Sequence, residues 1–214
     1  MPPANHGIPI SPLIISHAAW LSHRLCLSFR DAEDLLAQRG ITVSYETIRQ
    51  WCRTFGPAYA RTLRRWRGRM GDTWHVDELF VNIQGRQQYL WRAVDEDGDV
   101  IDILVQSRRD RHAAKRFFRK LLKGQGREPR RLVTDKLRSY SAVHRMAMPS
   151  VEHSTKQYEN NRAELAHQPT RQRERQMRRF KSVAHAQRFC RCTESFSISS
   201  ASDVTSYGLF TIAC

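Results

Sequence analysis

The sequence predicts an α/β protein, a mixed sheet flanked by helices, preceded by a small all-α domain. Three observations carry this expectation. Apolar residues recur at helical spacing as far as Phe55, and from Thr73 they recur at every second position. The period-two runs 73–83, 87–94 and 99–106 are separated by the turn signals Gln84-Gly85-Arg86 and Asp95-Glu96-Asp97-Gly98, which predicts three antiparallel strands. A strongly amphipathic stretch with Ala113, Ala114, Phe117, Phe118, Leu121 and Leu122, closed by Gly124 and Gly126, then leads to the short apolar run Leu132-Val133-Thr134-Asp135. A helix in that place permits a parallel strand partner.

Before Thr73 the elements are helical. Ile14, Ala18, Leu21 and Leu25 share one face of a helix over 13–27. Ser28 with Asp31 resembles a capping box, Ala32, Leu35 and Leu36 give a second short helix, and Gly40 can end it in a left-handed conformation. Ser44 is the expected N-cap of a third helix, with Glu46 in its first turn and Ile48, Trp51, Cys52 and Phe55 as its buried stripe. Its other face carries Tyr45, Arg49, Gln50 and Arg53. A short helix, a glycine turn and a helix with an Arg/Gln face outline a helix-turn-helix over 1–56, although any solvated helix can show such a face. Gly56-Pro57 is read as the end of that helix, and 57–72, with Arg61, Arg64 and Arg65, as a basic linker along a phosphate backbone.

The later elements are a helix over 139–147, an extended piece at 151–154, and a long polar helix from about Asn161 with Pro169 as its kink. The order of strands and helices over 73–189 is that of a ribonuclease-H-like sheet. Such a sheet can set its first and fourth strands side by side, with Asp77 and Asp135 on neighbouring strands and Glu164 approaching from a helix. Burying a lone carboxylate in the run Thr-Trp-His-Val-Asp-Glu-Leu-Phe-Val costs several kcal/mol without a partner. Three converging carboxylates call for cations, and Mg²⁺ or Mn²⁺, two ions in all, suits in-line phosphoryl transfer. Strand alternation sets Glu78 on the opposite face from Asp77, and Glu174 lies in an Arg-rich run that explains it as an ion pair, so both stay outside the site. His75 shares the face of Asp77 and is read as a packed histidine.

Composition narrows the function classes. The 214 residues carry 36 Lys+Arg against 21 Asp+Glu, a net charge of +15, and the excess runs along the chain as far as Arg191, after which no Lys or Arg follows. A polyanion is the expected partner. No stretch approaches the ~20 apolar residues of a spanning helix, and the N-terminus lacks a signal-peptide pattern, so the expected location is the cytoplasm. Five cysteines without paired metal spacing read as reduced thiols. Residues 190–214 turn Ser/Thr-rich and are expected to be an atypical, poorly packed tail that limited proteolysis removes first.

From Ile14 to Phe189 the chain resembles bacterial insertion-sequence transposases of the DDE class, most closely the IS-six group, whose core is integrase-like. The blocks that carry the resemblance include Val-Ser-Tyr-Glu-Thr-Ile-Arg-Gln-Trp-Cys, Gly-Asp-Thr-Trp-His-Val-Asp-Glu, Tyr-Leu-Trp-Arg-Ala-Val-Asp, Ala-Ala-Lys-Arg-Phe-Phe, Val-Thr-Asp-Lys-Leu-Arg-Ser-Tyr and Asn-Asn-Arg-Ala-Glu, in that order. It implies that Asp77, Asp135 and Glu164 form the metal-binding triad of DNA strand cleavage and transfer. Arg171, seven residues after Glu164, matches a basic position expected to contact DNA. The implied partner is double-stranded DNA, as terminal inverted repeats and target, bound by a homo-oligomer in the bacterial nucleoid. Two other readings stay open: a catalytically defective DNA-binding remnant that represses transposition, and a structure-selective nuclease on the same fold.

Overall fold

The computed structural model describes residues 10–25, 27–66, 68–135, 138–156, 159–160, 171 and 180–197. Two compact units contain them, one holding the described residues up to Trp66 together with those from Ser195, the other running from 68 to Glu194.

Helices α1 (Pro12–Arg24), α2 (Phe29–Ala37), α3 (Tyr45–Thr54) and α4 (Gly56–Trp66) build the first unit. Each start is specified locally. Ser11 caps α1 through the Leu13 N–H, with Pro12 in the first turn. Ser28 and Asp31 form the complete capping box, the Asp31 N–H donating to Ser28 Oγ at 3.1 Å and the Ser28 N–H to Asp31 Oδ2 at 2.8 Å. Gly40 takes a φ of 76°, which lets the Ile41 N–H return to the Leu36 carbonyl at 3.0 Å and closes α2. Ser44 caps α3 through the Thr47 N–H. Ala18, Leu21, Ala32, Leu36, Ile48, Trp51, Tyr59 and Leu63 are buried, and Tyr45, Arg49, Gln50 and Arg53 are exposed along α3.

The linker expected over 57–72 is not a linker throughout. Residues 56–66 form α4, because Tyr59, Ala60 and Leu63 sit at helical spacing and bury together, and Pro57 at a helix start needs no N–H partner. Arg61 and Arg65 remain exposed on this helix, while Arg64 is half-buried and donates from Nε to the Ala60 carbonyl.

The second unit is a five-stranded sheet in the order β3-β2-β1-β4-β5, from β1 (Thr73–Ile83), β2 (Arg86–Val94), β3 (Val100–Gln106), β4 (Arg131–Thr134) and β5 (Glu152–Ser154). The first three strands are antiparallel neighbours, and β4 and β5 add in parallel on the other side of β1. This is the ribonuclease-H-like arrangement. Gln84 and Gly85, both at positive φ, make the first hairpin, and α5 (Arg111–Gln125), capped by Asp110 and ended by left-handed Gly126, supplies the crossover to β4. Trp74, Val76, Trp91 and Ala93 on one face bury against Phe117 and Phe118 of α5 and Tyr140 and Val143 of α6 (Arg138–Ala147). Leu79, Val81, Ile83, Leu90 and Ile103 on the other bury with Phe180 and with Ala186, Phe189 and Cys190 of α7 (Val183–Ser197).

That last helix corrects the expectation of a loose tail from Cys190. Residues 190–197 continue α7, with Cys190, Cys192, Thr193, Glu194 and Phe196 buried, since the stripe of Phe189, Cys190 and Thr193 keeps the helical period despite the change in composition. Residues 198–214 lie outside the described set.

The entry to β1 yields a stability prediction. Glu96 receives the N–H groups of Asp72 and Thr73 at 3.2 and 2.9 Å, and a Cβ at Gly71 would run into that carboxylate. Gly71→Ala is therefore expected to destabilise the protein by about 1–3 kcal/mol, because the displaced carboxylate gives up those two bonds. Urea melts in the Glu96→Ala background should show most of that cost removed.

Candidate metal centre

The parallel ladder between β1 and β4 runs from Thr73 opposite Arg131 to Val76 opposite Thr134 and stops there. Asp77 and Asp135 are the next residue on each strand, so the end of the ladder presents both acids together. Beyond it β1 continues to Ile83 without β4 beside it, which opens a route over the strand edge from the opposite face. Glu78 takes that route. One oxygen or more from each of Asp77, Glu78 and Asp135 lies within 4.8 Å of the others. The alternation argument places Glu78 on the correct face, the α5/α6 side, yet misses that its carboxylate meets the aspartates over the edge.

Neighbouring groups fix this cluster. The Glu78 N–H donates to Asp77 Oδ1 at 2.8 Å. Tyr140 Oη donates to Glu78 Oε2, Arg109 Nε donates to Glu78 Oε1, and Arg109 Nη2 reaches Asp135 Oδ2 at 3.1 Å. Burial raises the Glu78 carboxyl above the usual range; its bond from Tyr140 opposes the rise, the Asp135 charge adds to it, and the Arg109 charge and bond oppose it. The Tyr140 hydroxyl is pushed well above its ordinary value by its own burial and then by the charge of Glu78. Three carboxylates with hard oxygens gather here, already facing one guanidinium. That chemistry fits a divalent cation such as Mg²⁺.

Glu164 lies outside the described residues, as does Glu174. Glu159 and Asn160 pack against the sheet: Asn160 Nδ2 donates to the Val76 carbonyl at 3.2 Å, and Glu159 holds Arg131 Nη2 at 3.1 Å and Ser154 Oγ. Arg171 is exposed, and His75 is buried, two residues before Asp77 in sequence. Behind Asp77 on its own face stands Arg92, its cross-strand partner, paired with Glu194 at 3.1 Å. On α3, Arg49 pairs with Glu46, and the Arg30 guanidinium lies 5.1 Å from the Tyr45 ring centroid. Arg109, Tyr140 and Glu194 were not legible as site residues. The one sequence signal for Arg109 is its place in Arg108-Arg109-Asp110, directly before a capped helix.

Comparison with known proteins adds an independent observation. A family profile described as a DDE domain, of the IS240 type, matches residues 71–201. The chain is 29% identical over 159 residues to the transposase for insertion sequence-like element IS431mec of Staphylococcus aureus, covering 72% of this chain and 70% of that one. Its likeness to the Staphylococcus aureus transposase for insertion sequence element IS257 in transposon Tn4003 has the same identity and the same coverage. Among solved structures, the catalytic domain of Mos1 mariner transposase is similar with a TM-score of 0.42 and 14% identity, covering 73% of this chain and 88% of that one.

Proposed function

Given that the chain belongs to the DDE-domain family of insertion-sequence transposases, we propose that it binds the terminal inverted repeats of its element through α3 and cuts and joins DNA at Asp77, Asp135 and Glu164. A DDE transposase catalyses phosphodiester cleavage and strand transfer. In that reaction a water or a DNA 3′-hydroxyl oxygen attacks phosphorus in line, the bond to the departing oxygen breaks, and no covalent protein intermediate forms. Two divalent ions, when bound, activate the attacking oxygen and stabilise the leaving one.

The observation that carries the reading is the pair Asp77 and Asp135 at the end of one parallel ladder. The tether from Asn160 to the Val76 carbonyl adds to it, since Glu164 follows four residues later and four residues span at most ~14 Å of chain. In this reading the chain's own residues do three things. The carboxylates hold the cations, Arg61, Arg64, Arg65 and Arg171 meet phosphates, and Tyr45, Arg49, Gln50 and Arg53 face the major groove as the reading side of the helix-turn-helix. A homo-oligomer, in the cytoplasm and at the nucleoid, brings two element ends together.

The test uses the full chain and duplexes carrying the ends of its own element. Mg²⁺-dependent cutting and joining of those ends, lost in EDTA, is the expected result; an inactive protein that still shifts the ends would favour the repressor reading. Arg53→Ala is expected to relax preference at one base position by about 1–3 kcal/mol while leaving binding to scrambled duplex unchanged. Equal retention of specific and scrambled duplexes by the parent protein would overturn the assignment of α3.

A further inference from the structure

Three carboxylates offer oxygens at the end of the β1/β4 ladder, but they are not equivalent. Glu78 has a side chain only 1% exposed, and each of its oxygens is already engaged, one by Tyr140 Oη and the other by Arg109 Nε. A cation there would have to displace a buried hydroxyl or an arginine. Asp77 and Asp135 are only half-buried and stand nearer to solvent. Arg109 has the shape of a bridge between the two kinds of acid, since one edge of its planar fork is held on Glu78 while Nη2 lies 3.1 Å from Asp135 Oδ2. Its place is fixed from behind, because Asp110 caps α5 through the Ala113 N–H at 2.8 Å, and the Phe80 ring flanks the guanidinium with its centroid 5.8 Å away. The backbone N–H of Glu78 meanwhile orients Asp77.

We propose that Glu78 and Arg109 are positioning residues, which hold the carboxylates of Asp77 and Asp135 in register for the cations without ligating them. Tyr140 anchors Glu78, Glu78 anchors Arg109, and Arg109 sets the rotamer of Asp135 and offsets part of the acidic charge while no cation is bound. The inference rests on the reading of Asp77 and Asp135 as metal ligands, and its test separates the two.

Mn²⁺ titration of the full chain, alone and without DNA, is combined with single-turnover joining of element ends. Glu78→Gln should keep the parent stoichiometry and a Mn²⁺ affinity within about threefold of the parent's, while joining falls about 10–100-fold, as it does for groups one step removed from a metal. Arg109→Lys keeps the charge but cannot span both carboxylates, so joining should fall in the same range. The double variant should be no slower than the slower single, because both residues act through one linkage. Loss of Mn²⁺ by Glu78→Gln to the extent seen for Asp77→Asn would make Glu78 a ligand and overturn the proposal. Multiplicative losses in the double variant, or joining at the parent rate by Arg109→Lys, would overturn it as well. Arg109→Lys alters a side chain 33% exposed and carries both readouts by itself should Glu78→Gln fail to fold. Unchanged Mn²⁺ binding by Asp77→Asn would instead refute the ligand assignment of the aspartates.

Discussion

Asp77→Asn, Asp135→Asn and Glu164→Gln are each expected to abolish strand cleavage and joining while leaving the shift of element ends intact. The loss should exceed the roughly 10–100-fold typical of residues one step removed from a metal, because each change removes an anionic oxygen proposed to bind the ion itself. Binding of the ends survives in this account because the reading face lies on α3, in the other compact unit. A stability signature accompanies the activity loss and does not depend on DNA. The acids cluster within 4.8 Å with Arg109 as a paired cation, so like-charge repulsion remains in the metal-free protein. In EDTA, Asp77→Asn should melt above the parent, whereas with Mg²⁺ the parent should gain more in Tm than the variant does. The order of the two proteins is expected to invert on adding metal. Glu164→Gln protein joining DNA at the parent rate would remove Glu164 from the site and turn attention to Glu159, which is tied to Arg131 and Ser154.

The pattern of local signals explains how far the sequence could be read. The three antiparallel strands, the Ser28–Asp31 box, the Ser44 cap and the left-handed Gly40 depend on residues within one turn or one hairpin and are found where the pattern put them. By contrast, α1 ends at Arg24, short of 27, with Leu25 exposed, and α5 runs through Gly124 as far as Gln125. The neighbour relation of Asp77 and Asp135 was legible too, because a helix between strands permits a parallel pair and the order of elements sets the first and fourth strands side by side. Three features were not. Pro57 reads as a stop after α3 but equally opens a helix, and only the burial of Tyr59 and Leu63 decides which. Glu78 lies on the face that alternation assigns it, and its approach to the aspartates depends on where β4 ends, a length that periodicity does not specify to one residue. The Ser/Thr-rich composition after Cys190 hid a helix whose partners are remote in sequence, among them Arg92 of the central sheet, 102 residues from Glu194.

That remote pair carries a sizeable expected stability effect. Arg92 Nη2 and Glu194 Oε2 lie 3.1 Å apart with side chains 4% and 7% exposed, so neither charge can turn to water when the other is removed. Glu194→Ala is expected to cost about 1.5–3 kcal/mol, the loss of a buried hydrogen bond between charged groups, out of the roughly 5–15 kcal/mol typical of a folded domain. The exposed Glu46–Arg49 pair on α3 sets the contrast, since side chains 56% and 60% exposed keep their water when either is removed. Replacing both buried partners by apolar residues, Arg92→Met with Glu194→Leu, should recover part of the loss, because both buried charges are then removed together. The pair also bears on the metal centre. Arg92 stands directly across from Asp77 on the same face, so with Glu194 gone its guanidinium has a carboxylate to turn toward, and that carboxylate is the one proposed to hold a cation. Glu194→Ala should therefore weaken Mn²⁺ binding as well as lower the urea midpoint, while the double replacement restores the binding and part of the midpoint. A loss below ~1 kcal/mol for Glu194→Ala would place the pair with the surface bridges, and an unchanged Mn²⁺ affinity would show that Arg92 does not reach Asp77.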